Sequence, residues 1–168
     1  MLKTKIKASV PKFLLEVLED DLKQFSIAKE RLCNIILLKF SSKSSPNYNQ
    51  EMIFESRKYL QFTLNKNNVS YFDKLSQRKK DMNNSEIIRE IFLSYAVLPP
   101  FLREIILFRE KIIFLNTVQK SEREIKLDTG EEVVEGIIEE IFRDEETGYL
   151  KLELNGEDYF ISRIRVIS

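Results

Sequence analysis

The sequence predicts an α+β protein: two strand–helix–helix units in tandem, then a long helix, then a small antiparallel β-barrel. Three observations carry this prediction. A β-α-α pattern occurs twice within the first hundred residues. A proline pair at 99–100 then opens an apolar stretch with helical spacing. After Lys120 the apolar period falls to two, and short runs alternate with Gly-bearing turn signals.

The first copy opens with "KIKASV". Ile6, Ala8 and Val10 lie on one face of a strand, and Lys5, Lys7 and Ser9 on the other. Pro11 suits the first turn of a helix. "KFLLEVLEDDLKQF" follows, with Leu14, Leu18 and Leu22 at helical spacing. Ser26 is the expected cap of a second helix, "IAKERLCNIILLKF", whose apolar positions are Leu32, Ile35, Ile36 and Phe40. The second copy begins at "YLQFTL", where Leu60, Phe62 and Leu64 oppose Tyr59, Gln61 and Thr63. Asn65 caps a helix carrying Val69, Phe72 and Leu75. "NNS", Asn83 to Ser85, reads as a turn and cap before a helix carrying Ile87, Ile88, Ile91, Phe92 and Tyr95. Val10 corresponds to Leu64, Leu32 to Ile87, Ile36 to Ile91 and Phe40 to Tyr95. The offset is 54 in the strand and 55 in the second helix. The domain division that follows is 1–41 and 59–98 for the two copies, with 42–58 as a polar linker. In that linker "EMIF" predicts a helical turn or packing patch.

Residues 99–120 form the connecting segment. Phe101, Ile105, Phe108, Ile112 and Leu115 are spaced for one long helix through about Val118. Such a helix is rich enough in apolar residues for a homodimer interface or for the core of its own module. Residues 121–168 contain "REIKLD", "EEVVEGIIEEIFRD", "GYLKLELN" and "EDYFISRIRVI", separated by "DTG", "DEETG" and "NGED". These predict four or five strands in a strongly bent SH3-like barrel.

Composition narrows the function. The chain has 168 residues, 43% of them apolar, enough for a real core. It has no histidine, and its one cysteine, Cys33, lies in the apolar run "LCNIILL", where a buried hydrophobe is expected. Without a glycine-rich phosphate loop as well, the expectation is no enzyme, no catalytic residues, no metal and no cofactor. No apolar run reaches membrane-span length and no leader pattern is visible, so a cytoplasmic protein without membrane partners is expected. The net charge is zero but unevenly spread. Residues 121–168 hold 14 acids and 6 bases, and the first twelve residues hold Lys3, Lys5, Lys7 and Lys12 with no acid.

Both copies resemble the ribbon-helix-helix family over roughly 5–40 and 59–95. In that family two strands make one antiparallel ribbon backed by four helices. The resemblance implies a ribbon whose outward side chains, Lys5, Lys7 and Ser9 with Tyr59, Gln61 and Thr63, enter the DNA major groove. Lys29, Arg57 and Lys58 would neutralise phosphates, aided by the second-helix N-termini near Ser26–Ala28 and Asn84–Glu86. An outward face of this composition is also what solubility alone produces. The copies can pair within one chain or between two, and the apolar helix at 101–118 leads to the expectation of a homodimer in either case.

Residues 97–168 resemble bacterial WYL-domain proteins that carry an N-terminal ribbon-helix-helix. Tyr149 and Leu150 match the family's Trp-Tyr-Leu strand, with Gly148 in place of the tryptophan. Phe160, Arg163 and Ile164 match its closing strand, and Glu135, Gly136 and Ile137 stand where the family has Glu-Pro-Tyr. The resemblance implies a regulatory module. Tyr149, Tyr159 and Phe160 would stack on bases, while Arg163 and Arg165 would meet phosphate or base edges. Tyr149 and Phe160 also suit a barrel core, and Arg163, if buried, would need Glu135 or Glu139 as partner. The leading expectation is a DNA-binding transcriptional regulator. The alternative is an RNA-binding or protein-binding accessory factor, since some such proteins bind single-stranded RNA and stimulate type VI CRISPR effectors. A third possibility is an interaction protein whose repeats only dimerise.

Overall fold

The computed structural model describes residues 4–42 and 57–167, so most of the polar linker, with its "EMIF" patch, lies outside the described residues. The chain divides into two compact units, Met1–Leu98 and Pro99–Ser168.

The first unit contains β1 (Lys5–Pro11), α1 (Lys12–Phe25), α2 (Lys29–Phe40), β2 (Arg57–Thr63), α3 (Lys66–Arg78) and α4 (Asn84–Ala96). The strands pair antiparallel within the one chain, with Lys5 opposite Thr63, Lys7 opposite Gln61 and Ser9 opposite Tyr59. Alternation decides the faces. Ile6, Ala8, Val10, Leu60 and Phe62 are all buried, while the residues between them face outward. The inward set rests on Leu14, Leu32, Ile36, Ile87, Ile91 and Phe92, each essentially removed from water. At about 1.5–3 kcal/mol per buried large side chain, this packing is what makes a two-stranded ribbon viable. The repeat-related Phe40 and Tyr95 meet each other edge to face, their centroids 5.3 Å apart.

Capping follows the sequence at two of three expected places. The Asn65 and Asn83 side chains accept from the N–H groups of Asn68 and Glu86, each at 2.8 Å. Ser26 does something else. It ends α1 in the left-handed region at φ 52°, its N–H donating to Leu22, and α2 starts from Ala28 without a side-chain cap.

In the second unit the single long helix becomes two: α5 (Pro100–Leu107) and α6 (Arg109–Lys120). The break at Phe108 (φ −120°, ψ 38°) lets Phe101 and Ile105 on one helix, and Ile112, Leu115 and Val118 on the other, reach the same core. A straight helix would carry part of that apolar stripe away from the sheet. Ile113 and Phe114 remain exposed on α6. The sheet comprises β3 (Glu124–Asp128), β4 (Val133–Arg143), β5 (Leu150–Leu154), β6 (Glu157–Phe160) and β7 (Arg165–Val166), in the order β6-β5-β4-β3-β7 and antiparallel throughout. The expected continuous last strand is interrupted by a 3-10 turn at Ile161–Arg163. β4 is shared: its first half pairs with β3 and its second half with β5, around an irregularity between Ile138 and Glu140. That bend curls the sheet into a half-barrel. Gly136 sits where an added Cβ would stand 2.5 Å from the Asn155 side chain, whose amide donates to Glu135 C=O at 3.0 Å. Asn155 and Gly156, both at positive φ, make the β5–β6 turn.

Two ionisable side chains, one buried and one half-buried, fasten the helices to the half-barrel. Glu104, fully buried, accepts from Leu150 N–H at 2.8 Å, where β5 begins. The Lys111 ammonium donates to the carbonyls of Ile161 and Ile164, on either side of the 3-10 turn. Burial pulls the Lys111 pKa down, and the Glu104 carboxylate partly offsets this. Among the described residues no helix is long and apolar enough to cross a membrane. We predict that Lys111→Met, which keeps the apolar stem but leaves both carbonyls without this donor, lowers stability by about 1–3 kcal/mol in urea unfolding. An unchanged midpoint would mean that the 3-10 turn does not depend on this contact.

Candidate nucleic-acid interface

The ribbon brings six of the sequence-predicted residues onto one face. Lys5, Lys7, Tyr59, Gln61 and Thr63 are exposed and Ser9 is half-buried. Tyr59 is 62% exposed, and the Lys7 ammonium lies 4.5 Å from its ring centroid. This is a diagonal cross-strand contact of the kind that antiparallel ribbons favour. Arg57 opens β2 opposite Pro11. Lys58 is exposed but has the parity of Leu60, which puts it off the outward face. Lys29 is the exposed first residue of α2.

A two-stranded ribbon leaves alternate N–H and C=O groups pointing away from the partner strand. At Ser9 and at Thr63 side chains of the second helices satisfy them, in a pattern that repeats. Ser9 N–H donates to the Ser85 hydroxyl at 3.2 Å, and Ser9 C=O accepts from Arg89 Nε at 2.8 Å. In the other half, Thr63 N–H donates to the Glu30 carboxylate and Thr63 C=O accepts from Asn34 Nδ2 at 3.0 Å. Ser9 and Thr63 are 54 apart; Glu30 and Ser85, like Asn34 and Arg89, are 55 apart. Sequence reasoning missed these four helix residues. The available signal was a polar pair at i and i+4 recurring at the repeat offset, on helices otherwise read for their apolar positions. Each ribbon edge is thereby covered at one residue, Ser9 on β1 and Thr63 on β2, and tied there to a second helix.

The second group of predicted residues does not converge. Tyr149 is buried. Tyr159 packs half-buried against the core, its O–H donating to Glu157 at 3.0 Å. Arg165 is exposed and ion-paired with Asp128 at 3.1 Å. Arg163 is exposed rather than buried, and its guanidinium lies 5.1 Å from the Phe160 ring, which Lys151 also approaches at 4.7 Å. The neighbouring row is acidic: Glu140 is opposite Glu153, and Glu153 is opposite Asp158. The charge of Glu139, then burial, then the charges of Asp158 and Glu140 raise the Glu153 pKa. The first unit (1–98) carries 17 bases and 11 acids, and residues 99–168 carry 10 bases and 16 acids. A polyanion is therefore favoured by the first unit and opposed by the second. Cys33 is buried, and burial pushes its thiol pKa up to about 12, so it is chemically quiet.

No protein-family model matches the chain. No curated protein matches it either. Among solved structures it is similar to one described as the crystal structure of a CRISPR Cas-related protein, with a TM-score of 0.67 and 14% identity. The likeness covers all of this chain and 63% of that one. Identity this low speaks for a shared α+β fold.

The acidic row makes a testable statement about stability. The folded pKa of Glu153 is raised above its ordinary value of 4.5. Its ionisation therefore costs stability that is present at acid pH and lost as pH rises through the raised value. Glu153→Gln should raise the thermal midpoint at pH 7 and low salt. The gain should fade with added salt and vanish as pH falls below 4.5. A gain independent of pH would point to packing instead.

Proposed function

We propose that this chain is a non-enzymatic nucleic-acid-binding regulator that works with a CRISPR system. In this reading it is a tandem ribbon-helix-helix unit joined to a WYL-like, SH3-like half-barrel. The observation that carries it is the single-chain ribbon, which presents Lys5, Lys7 and Ser9 beside Tyr59, Gln61 and Thr63 on one solvent-facing surface. A two-stranded ribbon has the width of the B-DNA major groove. Lysine donates to guanine O6 and N7, and glutamine pairs bidentately with adenine. The basic excess of the first unit supplies the phosphate attraction. The CRISPR association is supported by the description of the solved structure that shares the fold. The WYL-like reading is supported by Tyr149 and Leu150 at the start of β5 and by Phe160, Arg163 and Ile164 around the closing 3-10 turn.

Tyr59 favours a second reading, in which the same face holds single-stranded RNA. An exposed ring with a lysine above it is a stacking platform, and each stacked base is worth about 1–3 kcal/mol. Fluorescence anisotropy over a salt series separates the two. Under duplex binding, Lys5→Ala with Lys7→Ala should weaken affinity at least tenfold and flatten the log–log salt slope by about 2, while Tyr59→Ala has a smaller effect. Preference for single strands, lost on Tyr59→Ala by roughly 5- to 150-fold, would select the RNA reading. Absence of binding to either at low salt would remove both.

A further inference from the structure

The two copies differ at the positions where they touch each other inside the fold. The Tyr95 hydroxyl donates to the Asp21 carboxylate, and both residues are fully buried. Repeat arithmetic gives the counterparts. Asp21 corresponds to Leu75, also buried, and Tyr95 corresponds to Phe40. If two first copies paired, Asp21 would meet a phenyl ring with no O–H to give. If two second copies paired, Tyr95 would meet Leu75 and its hydroxyl would lose the carboxylate.

A second, separate site has the same logic. The Asn34 side-chain oxygen accepts from Asn65 N–H at 2.9 Å and from Asn68 Nδ2 at 3.0 Å, with Asn34 and Asn68 both buried. The counterparts of Asn65 and Asn68 are Pro11 and Leu14. Proline has no N–H and leucine no side-chain donor, so Asn34 would lose both donors in a pairing of first copies. Each mismatch would occur twice in a symmetric pair, once on either side of the axis. A buried polar group deprived of its partner is costly, whereas the matched pairing satisfies every one of these atoms.

We propose that these two buried clusters lock the first copy onto the second within one chain, and that the ribbon is therefore a directional reader. One chain presents a lysine strand and a Tyr/Gln/Thr strand, and takes a non-palindromic nucleic-acid site at one chain per site. This rests on the nucleic-acid reading above, but the pairing itself can be tested without nucleic acid. Lys7 and Gln61 stand directly opposite each other, and the capped edges of Ser9 and Thr63 make theirs a non-hydrogen-bonded pair. Such pairs bring Cα atoms to about 4.5 Å, within disulfide reach. Cys33 is buried and does not compete.

Oxidised Lys7→Cys/Gln61→Cys should run as a cross-linked monomer of about the 19.9 kDa chain mass, and Lys7→Cys alone should give no covalent dimer. Dimers from the single variant would mean that first copies pair together, and dimers from the double variant that the ribbon forms between chains; either result overturns the proposal. Converting the lock to its repeat counterparts, Asp21→Leu with Tyr95→Phe in the Lys7→Cys background, should let cross-linked dimers appear. If that variant fails to fold, the native-lock cross-links still decide the pairing. On nucleic acid, sequences selected from a random duplex pool should be non-palindromic and bind one chain each. A palindrome occupied by two chains overturns directional reading. A wild-type chain that binds no nucleic acid at low salt, alongside a cross-linked monomer of the double variant, overturns both that reading and the function beneath it, with the pairing untouched.

Discussion

The first unit depends on the pairing of β1 with β2. Among the described residues neither strand has another neighbour in its sheet, and a lone strand in water leaves its backbone groups to solvent and its apolar face uncovered. Pairing solves the inner edge, and the four helices cover the apolar face. The outer edges are met by Ser85 and Arg89 in one half and by Glu30 and Asn34 in the other. Strand alternation then leaves one face with no structural duty, and that face carries Lys5, Lys7, Tyr59, Gln61 and Thr63. The candidate interface is what remains after every other surface of the ribbon has been used.

The first unit is nearly symmetric in its apolar core and asymmetric in its polar contacts. The strand positions Ile6, Ala8 and Val10 mirror Leu60, Phe62 and Leu64 in burial, because the core tolerates any apolar residue of suitable size. The polar contacts cannot be exchanged so freely. Asp21 requires the Tyr95 hydroxyl, and Asn34 requires donors that Pro11 and Leu14 do not have. The outward strand faces differ as well, with Lys5, Lys7 and Ser9 on one and Tyr59, Gln61 and Thr63 on the other.

The second unit follows a different principle. Its short, curled sheet has a core closed by two helices, and the helices are fixed to it by Glu104 at the start of β5 and Lys111 at the 3-10 turn. Its outward row of Glu140, Glu153 and Asp158 places like charges on neighbouring strands, which disfavours a polyanion there. The two units therefore divide the charge of a neutral chain into a basic part that can meet phosphate and an acidic part that avoids it.

By itself the sequence determined the element order, the inward and outward faces of both strands, the Asn65 and Asn83 caps and the turn at Asn155–Gly156. Each of these rests on local periodicity, on capping chemistry or on the φ angles that glycine and asparagine tolerate. It also placed the six outward ribbon residues, because strand alternation alone assigns them. Tertiary structure decided the rest. It split the expected long helix at Phe108, because the half-barrel core needs apolar residues from two directions. It moved Ser26 from a helix start to a helix end and broke the last strand at Ile161–Arg163. It buried Tyr149 and exposed Arg163. In it "YLQFTL" pairs with "KIKASV" of the same chain. That choice is invisible in periodicity, since either copy offers the same apolar stripe. Under the proposal above it is made by buried polar partners such as Asp21 and Tyr95, 74 residues apart, whose complementarity exists only once the chain has folded.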